Sequence, residues 1–78
     1  MSKKYSAKDE PEWSARFGHN LEALLEKRDM SKTEFARALG ITNAMVSRYI
    51  HGDTMPSFRR ACEIADVLRC EIDDLVSE

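Results

Sequence analysis

From Trp13 onward, apolar residues return at every third or fourth position. Phe17, Leu21, Leu24 and Leu25 form the first such stripe, the spacing of a helix that turns one face to a core. Ser14 is its expected N-cap, and Asp29 lies near its expected stop. Ser31-Lys32-Thr33-Glu34 then has the form of a capping box, in which serine and glutamate each satisfy an unpaired backbone donor. A short second helix is predicted to start at about Lys32, with Phe35, Ala36 and Leu39 as its apolar stripe. Gly40 follows where a left-handed residue ends a helix, and Thr42 is a second good N-cap. A third helix is expected from Asn43 to near Gly52, and Asp53 to Pro56 reads as a loop. Ser57 caps a fourth helix with the stripe Phe58, Ala61, Ile64, Ala65 and Leu68, and Ile72, Leu75 and Val76 suggest a brief fifth. No segment alternates with period two for long enough to be a strand. The predicted fold is all-α, with five helices and no internal repeat. Residues 1–12 have no apolar period and contain Pro11, so they read as a flexible arm preceding a domain over 13–78.

The stretch from Ser31 to Gly52 carries the functional signal. A capped short helix, a three-residue turn opening on Gly40 and a second capped helix of about two turns make a helix-turn-helix, which places its second helix in the DNA major groove. On a helical wheel, Asn43, Ala44, Ser47, Arg48 and His51 share one side of the third helix, while Met45, Val46, Tyr49 and Ile50 share the other. A merely solvated face would more often carry Glu and Lys. Asn pairs with adenine, Arg pairs with guanine, and Ala or a Thr methyl meets the thymine methyl.

With 78 residues the chain has room for one domain with a modest core. Its net charge of −2 argues against a grip on phosphates until its distribution is considered. Residues 27–60 hold Lys27, Arg28, Lys32, Arg37, Arg48, Arg59 and Arg60 against Asp29, Glu34 and Asp53, a local +4. Residues 61–78 run to −5, with only Arg69 against six acids. The basic part is the middle. Arg59 and Arg60 fall in the first turn of the fourth helix, where the macrodipole favours acids. They either form a phosphate site with the free amides there or pair with Glu63. Cys62 and Cys70 show no metal-ligand spacing and no disulfide framework. They read as small core or near-surface groups in a reducing compartment, and neither metal nor cofactor is expected. No apolar run has the length of a membrane span, and Met1 to Lys4 leads into a polar stretch rather than a signal-peptide core. A soluble, cytoplasmic protein is expected. His19 reads as a residue that faces solvent on the first helix or packs at its edge, and His51 as either a phosphate contact or a helix end. Tyr5 and Trp13 either pack the arm onto the body or anchor a partner. The acids Glu71, Asp73, Asp74 and Glu78 read as a solvated face.

From about Phe17 to Val76 the chain resembles the phage repressor and Cro type of helix-turn-helix, a family that includes xenobiotic-response-element regulators. The resemblance rests on several segments. These are Leu21 and Leu24; Met30 to Ala36 with Leu39-Gly40-Ile41-Thr42; Val46-Ser47-Arg48; Gly52 followed by Pro56; and Ile64-Ala65 with Leu68 and Ile72-Asp73-Asp74-Leu75. It implies a five-helix, lambda-repressor-like domain that binds a roughly palindromic operator as a homodimer and regulates transcription as a repressor. The family's base-reading positions fall on Thr42, Asn43, Ala44, Ser47 and Arg48. Its phosphate contacts fall on Lys32, Asn43, His51 to Thr54 and the start of the fourth helix, at Ser57, Arg59 and Arg60. Lys32 stands where many members have Gln and lacks the amide's acceptor. Leu25 and Ile50 replace a common Arg–Glu pair, an exchange of an ion pair for apolar contact. Arg69 stands where Gly usually ends the fourth helix. An antitoxin-like or other protein-interaction module on the same fold is the alternative function, with residues 1–12 as the partner segment. An enzyme is disfavoured, since no nucleophile, base or metal constellation is present, and no small-molecule effector is evident.

Overall fold

A computed structural model describes residues 10–77 as five helices: α1 (Glu10–Lys27), α2 (Lys32–Leu39), α3 (Asn43–Ile50), α4 (Phe58–Leu68) and α5 (Ile72–Val76). Among the described residues there is no strand. None of the helices is long and apolar enough to cross a membrane. Residues 1–9, with Tyr5, and Glu78 lie outside the described residues.

The start of α1 differs from the sequence expectation. Ser14 is not an N-cap but a buried residue more than a turn inside the helix, and residues 10–12, assigned to the arm, are helical. Pro11 is the reason. In a first turn its missing N–H is not needed and its φ suits a helix, and the acid Glu12 favours the positive end of the dipole. The other starts follow their caps. The Ser31 hydroxyl accepts from the Glu34 N–H at 3.0 Å, and the Glu34 carboxylate accepts from the Ser31 N–H at 3.0 Å. Thr42 and Ser57 accept from the Met45 and Arg60 N–H groups, each at 3.1 Å. Gly40 ends α2 at φ 71°, the left-handed conformation that costs glycine least. Asp29 and Arg69 adopt the same region, at φ 54° and 53°. Arg69 thus makes the turn that a glycine usually makes, and Arg28 supports it by donating to the Leu68 carbonyl at 2.8 Å and to that of Arg69 at 3.3 Å.

The core joins all five helices: Phe17, Leu21 and Leu25 from α1, Phe35 and Ala36 from α2, Val46 and Tyr49 from α3, Ala61, Ile64, Ala65 and Leu68 from α4, and Leu75 from α5. Phe58, placed by its spacing in the inward stripe of α4, is instead 76 % exposed. As the first residue of the helix it has no preceding turn to carry it over the core. Leu25 is buried, and it borders one groove with Met30 and Ile50 among the charged residues of α1 and α2, so the two residues that replace an ion pair line the same groove. Helix α5 is held against α1 by Asn20, whose amide donates to the Leu75 and Ser77 carbonyls at 3.0 and 2.7 Å.

Helix α1 meets the end of α3 at Gly18. A Cβ there would collide with the carbonyl oxygens of both Tyr49 and Ile50. Beside it the Phe17 and Tyr49 rings meet edge to face, with centroids 6.4 Å apart at 69°.

Two outcomes are expected. Gly18→Ala lowers stability by about 1–3 kcal/mol, because backbone must shift to admit the methyl, and each kcal/mol is worth roughly 4–8 °C of melting temperature in a domain of this size. A variant melting with the parent in calorimetry would refute this contact. The second concerns acid. Hydrogen bonds from the Ser31 backbone and side chain hold the Glu34 carboxyl below its usual value of 4.5. A carboxyl whose pKa is lowered by folding stabilises the fold above its unfolded pKa, and the contribution fades as pH falls through the folded value. Glu34→Gln, which keeps the capping geometry, therefore flattens part of the loss of melting temperature below pH 4.5. Identical acid limbs in parent and variant would exclude this cap as a contributor.

Candidate nucleic-acid interface

Helices α2 and α3 are joined by Gly40-Ile41-Thr42. The Gly40 and Ile41 N–H groups turn back to α2, reaching the Arg37 carbonyl at 3.2 Å and that of Ala36 at 3.0 Å. Ile41 packs against the core and Thr42 caps α3, so both ends of the turn are fixed by hydrogen bonds and one apolar anchor. Val46 and Tyr49 are buried, with Met45 and Ile50 packed at the edges. That seating leaves Thr42, Asn43, Ala44 and Arg48 exposed and Ser47 half-exposed on the opposite side. The five residues expected from the sequence to read bases therefore stand together on one outward surface.

That surface has the shape a groove reader needs. A helix with its side chains is about 10–12 Å across, which the major groove, about 12 Å wide, admits. Ala44 and Ser47 keep its middle low, and Asn43 and Arg48 supply an amide and a guanidinium.

The predicted rim residues are distributed around this surface. Lys32 opens α2 and is exposed, His51 caps the end of α3 and is exposed, and Thr54 is half-exposed in the following loop. Ser57, Arg59 and Arg60 open α4. Both arginines lie near Glu63: Arg60 at 3.2 Å, while also donating to the Leu39 carbonyl at 3.4 Å, and Arg59 more loosely at 3.9 Å. The contact with Glu63 that their spacing allows is therefore present. The Arg60 side chain is drawn in to 32 % exposure, whereas Arg59 remains 91 % exposed.

Thr33 is a residue of this surface that the sequence does not announce. The Asn43 side-chain amide donates to the Thr33 hydroxyl at 3.1 Å, which ties the first residue of α3 to α2. No sequence spacing marks this pair, because it depends on how two helices cross. His19 is exposed. Cys62 and Cys70 are free thiols. Burial, reinforced by the Asp74 charge, raises the Cys70 pKa. Among the described residues, no three His, Cys, Asp or Glu side chains gather as metal ligands would.

A family model described as Helix-turn-helix, HTH_3, matches residues 21–75. No curated protein sequence matches at a significant level. The fold is similar to the crystal structure of an HTH_3 family transcriptional regulator from Vibrio cholerae, with TM-score 0.78 and 20 % identity, covering 85 % of this chain and 37 % of that one. It is also similar to the solution structure of the SOS-response transcriptional repressor LexA from Eubacterium rectale, with TM-score 0.79 and 21 % identity, covering 86 % and 71 % of the two chains. The chain thus spans little more than a third of the Vibrio protein.

Thr33→Val keeps the β-branched shape and removes the oxygen that holds Asn43. The expected result is a shifted and more mobile Asn43 side-chain amide in nitrogen-15 NMR, with a melting temperature near the parent's. An unmoved amide resonance would show that Thr33 does not hold it.

Proposed function

Because the chain belongs to the HTH_3 helix-turn-helix family, we propose that it is a DNA-binding transcriptional regulator, a cytoplasmic repressor that binds a palindromic operator as a homodimer. The observation that carries this reading is the sidedness of α3. Its buried side is a tight apolar seat, and its exposed side offers Asn43 and Arg48 around the small residues Ala44 and Ser47. In this reading Arg48 makes the bidentate contact to guanine O6 and N7, and Asn43, held by Thr33, pairs with adenine. Thr42 and Ala44 approach thymine methyls, and Ser47 admits the helix to close range. Phosphates meet Lys32, His51, Thr54 and Ser57, with Arg60 at the margin. Such contacts set register and affinity, and base edges set sequence. Arg59 opens the same helix at 91 % exposure, so it reaches a phosphate beside Ser57 as well as the outer face of α4.

Selection of bound sequences from a random duplex pool tests the proposal. The expected product is an inverted repeat whose half-sites lie about 10–10.5 base pairs apart or at a multiple of that spacing. Arg48→Ala should weaken binding to the selected duplex by about 1–3 kcal/mol, roughly 5- to 150-fold, and relax preference at one base pair. Lys32→Ala should weaken all sequences alike and reduce the salt slope by about one. A pool that returns no motif would sink the reading.

A further inference from the structure

Among the described residues, Phe58 is the large hydrophobic side chain left exposed, and neighbours on its helix show what fits over it. Phe58, Arg59, Cys62 and Asp66 fall on one side of α4, away from the buried Ile64 and Leu68. Along that side a cation stands in the first turn and a carboxylate two turns later. Arg59 makes only its loose 3.9 Å approach to Glu63 at 91 % exposure, and Asp66 is exposed.

We infer that the outer face of α4 is where two copies of this chain meet, antiparallel across a two-fold axis passing beside Cys62 and Glu63. The inference rests on the homodimer reading above and names its surface. Charge order chooses the occupant. Residues 59 and 66 lie at equal distances from that midpoint, so an antiparallel copy brings each Arg59 to its partner's Asp66, twice over. A parallel copy would set like charges together. An isologous contact requires this self-complementarity, and a face with both signs at mirrored positions carries it without help from another protein. Phe58 then lies against the partner's last turn of α4 and covers its ring there. One face of an eleven-residue helix, about 16 Å long and about 10 Å wide, offers far less surface than the roughly 800 Å² per partner of a standard interface. The contact is therefore weak in free solution and is completed on DNA.

Cysteine positions make the geometry testable. Cys62 lies beside the axis, whereas Cys70 lines a groove with Asn20, Ala23 and Leu24 of α1, away from it. Sedimentation velocity of the full chain without DNA should show dimer growing with concentration, and mild oxidation should trap it covalently. Cys70→Ser should retain the covalent dimer and Cys62→Ser should lose it. Arg59→Asp and Asp66→Arg should each abolish dimer, and the double variant should restore it; a phosphate role for Arg59 would give no such rescue. Phe58→Ser should weaken association at least tenfold with an unchanged melting temperature, since the ring is exposed in the monomer. A chain that is monomeric at every concentration and never crosslinks, crosslinking through Cys70, or a double variant that stays monomeric would each overturn the inference. The random-pool selection is read separately. A motif without this dimer overturns the interface and leaves DNA reading standing, and this dimer without a motif does the reverse.

Discussion

The approach of α1 to the end of α3 at Gly18 is the constraint on which the rest of the structure depends. A surface meant to read another molecule must be held from behind, and α3 is only eight residues long, too short to be stable as an isolated helix. Its position comes from packing. With no side chain at residue 18, the backbone of α1 sits directly against the Tyr49 and Ile50 carbonyls. The Tyr49 ring then meets Phe17, and Val46 fills the space behind. Once those contacts are made, the rotation of α3 about its axis is settled, and so is the set of side chains that faces outward.

A second layer of control is local. Ser31, Thr42 and Ser57 each satisfy an amide at a helix start, a contribution of typically about 1 kcal/mol for such a cap. The chain therefore changes direction at fixed points, and the angle between α2 and α3 is limited by a three-residue turn rather than by a long loop. The Thr33–Asn43 bond adds a tie across that angle at the exposed end, where packing is thinnest.

Much of this was legible in the residues. The caps at Ser31, Thr42 and Ser57, the stop at Gly40, the order of five helices and the two sides of α3 all follow from short-range rules, which act within a turn or two of chain. The features that were not legible depended on distance in space. Pro11 looked like a break because a proline that starts a helix and one that prevents it differ only in the residues after them. Phe58 fitted the three-four spacing of α4, yet a first-turn residue has no body beneath it. Gly18 carries no local signal of its role, which comes only from the crossing of α1 with the end of α3. Arg59 and Arg60 had two acceptable partners by spacing, and geometry brings both toward Glu63. The residues expected to read bases lie together on one face.

The Asn20 clasp on the Leu75 and Ser77 carbonyls also has a practical side. Asn20 and Gly18 lie on nearly opposite sides of α1, so Ser77 sits on the far side of that helix from α3. A fluorophore or immobilisation handle attached after that point would be carried clear of the exposed surface of α3, leaving it open to a duplex in solution or on a sensor chip.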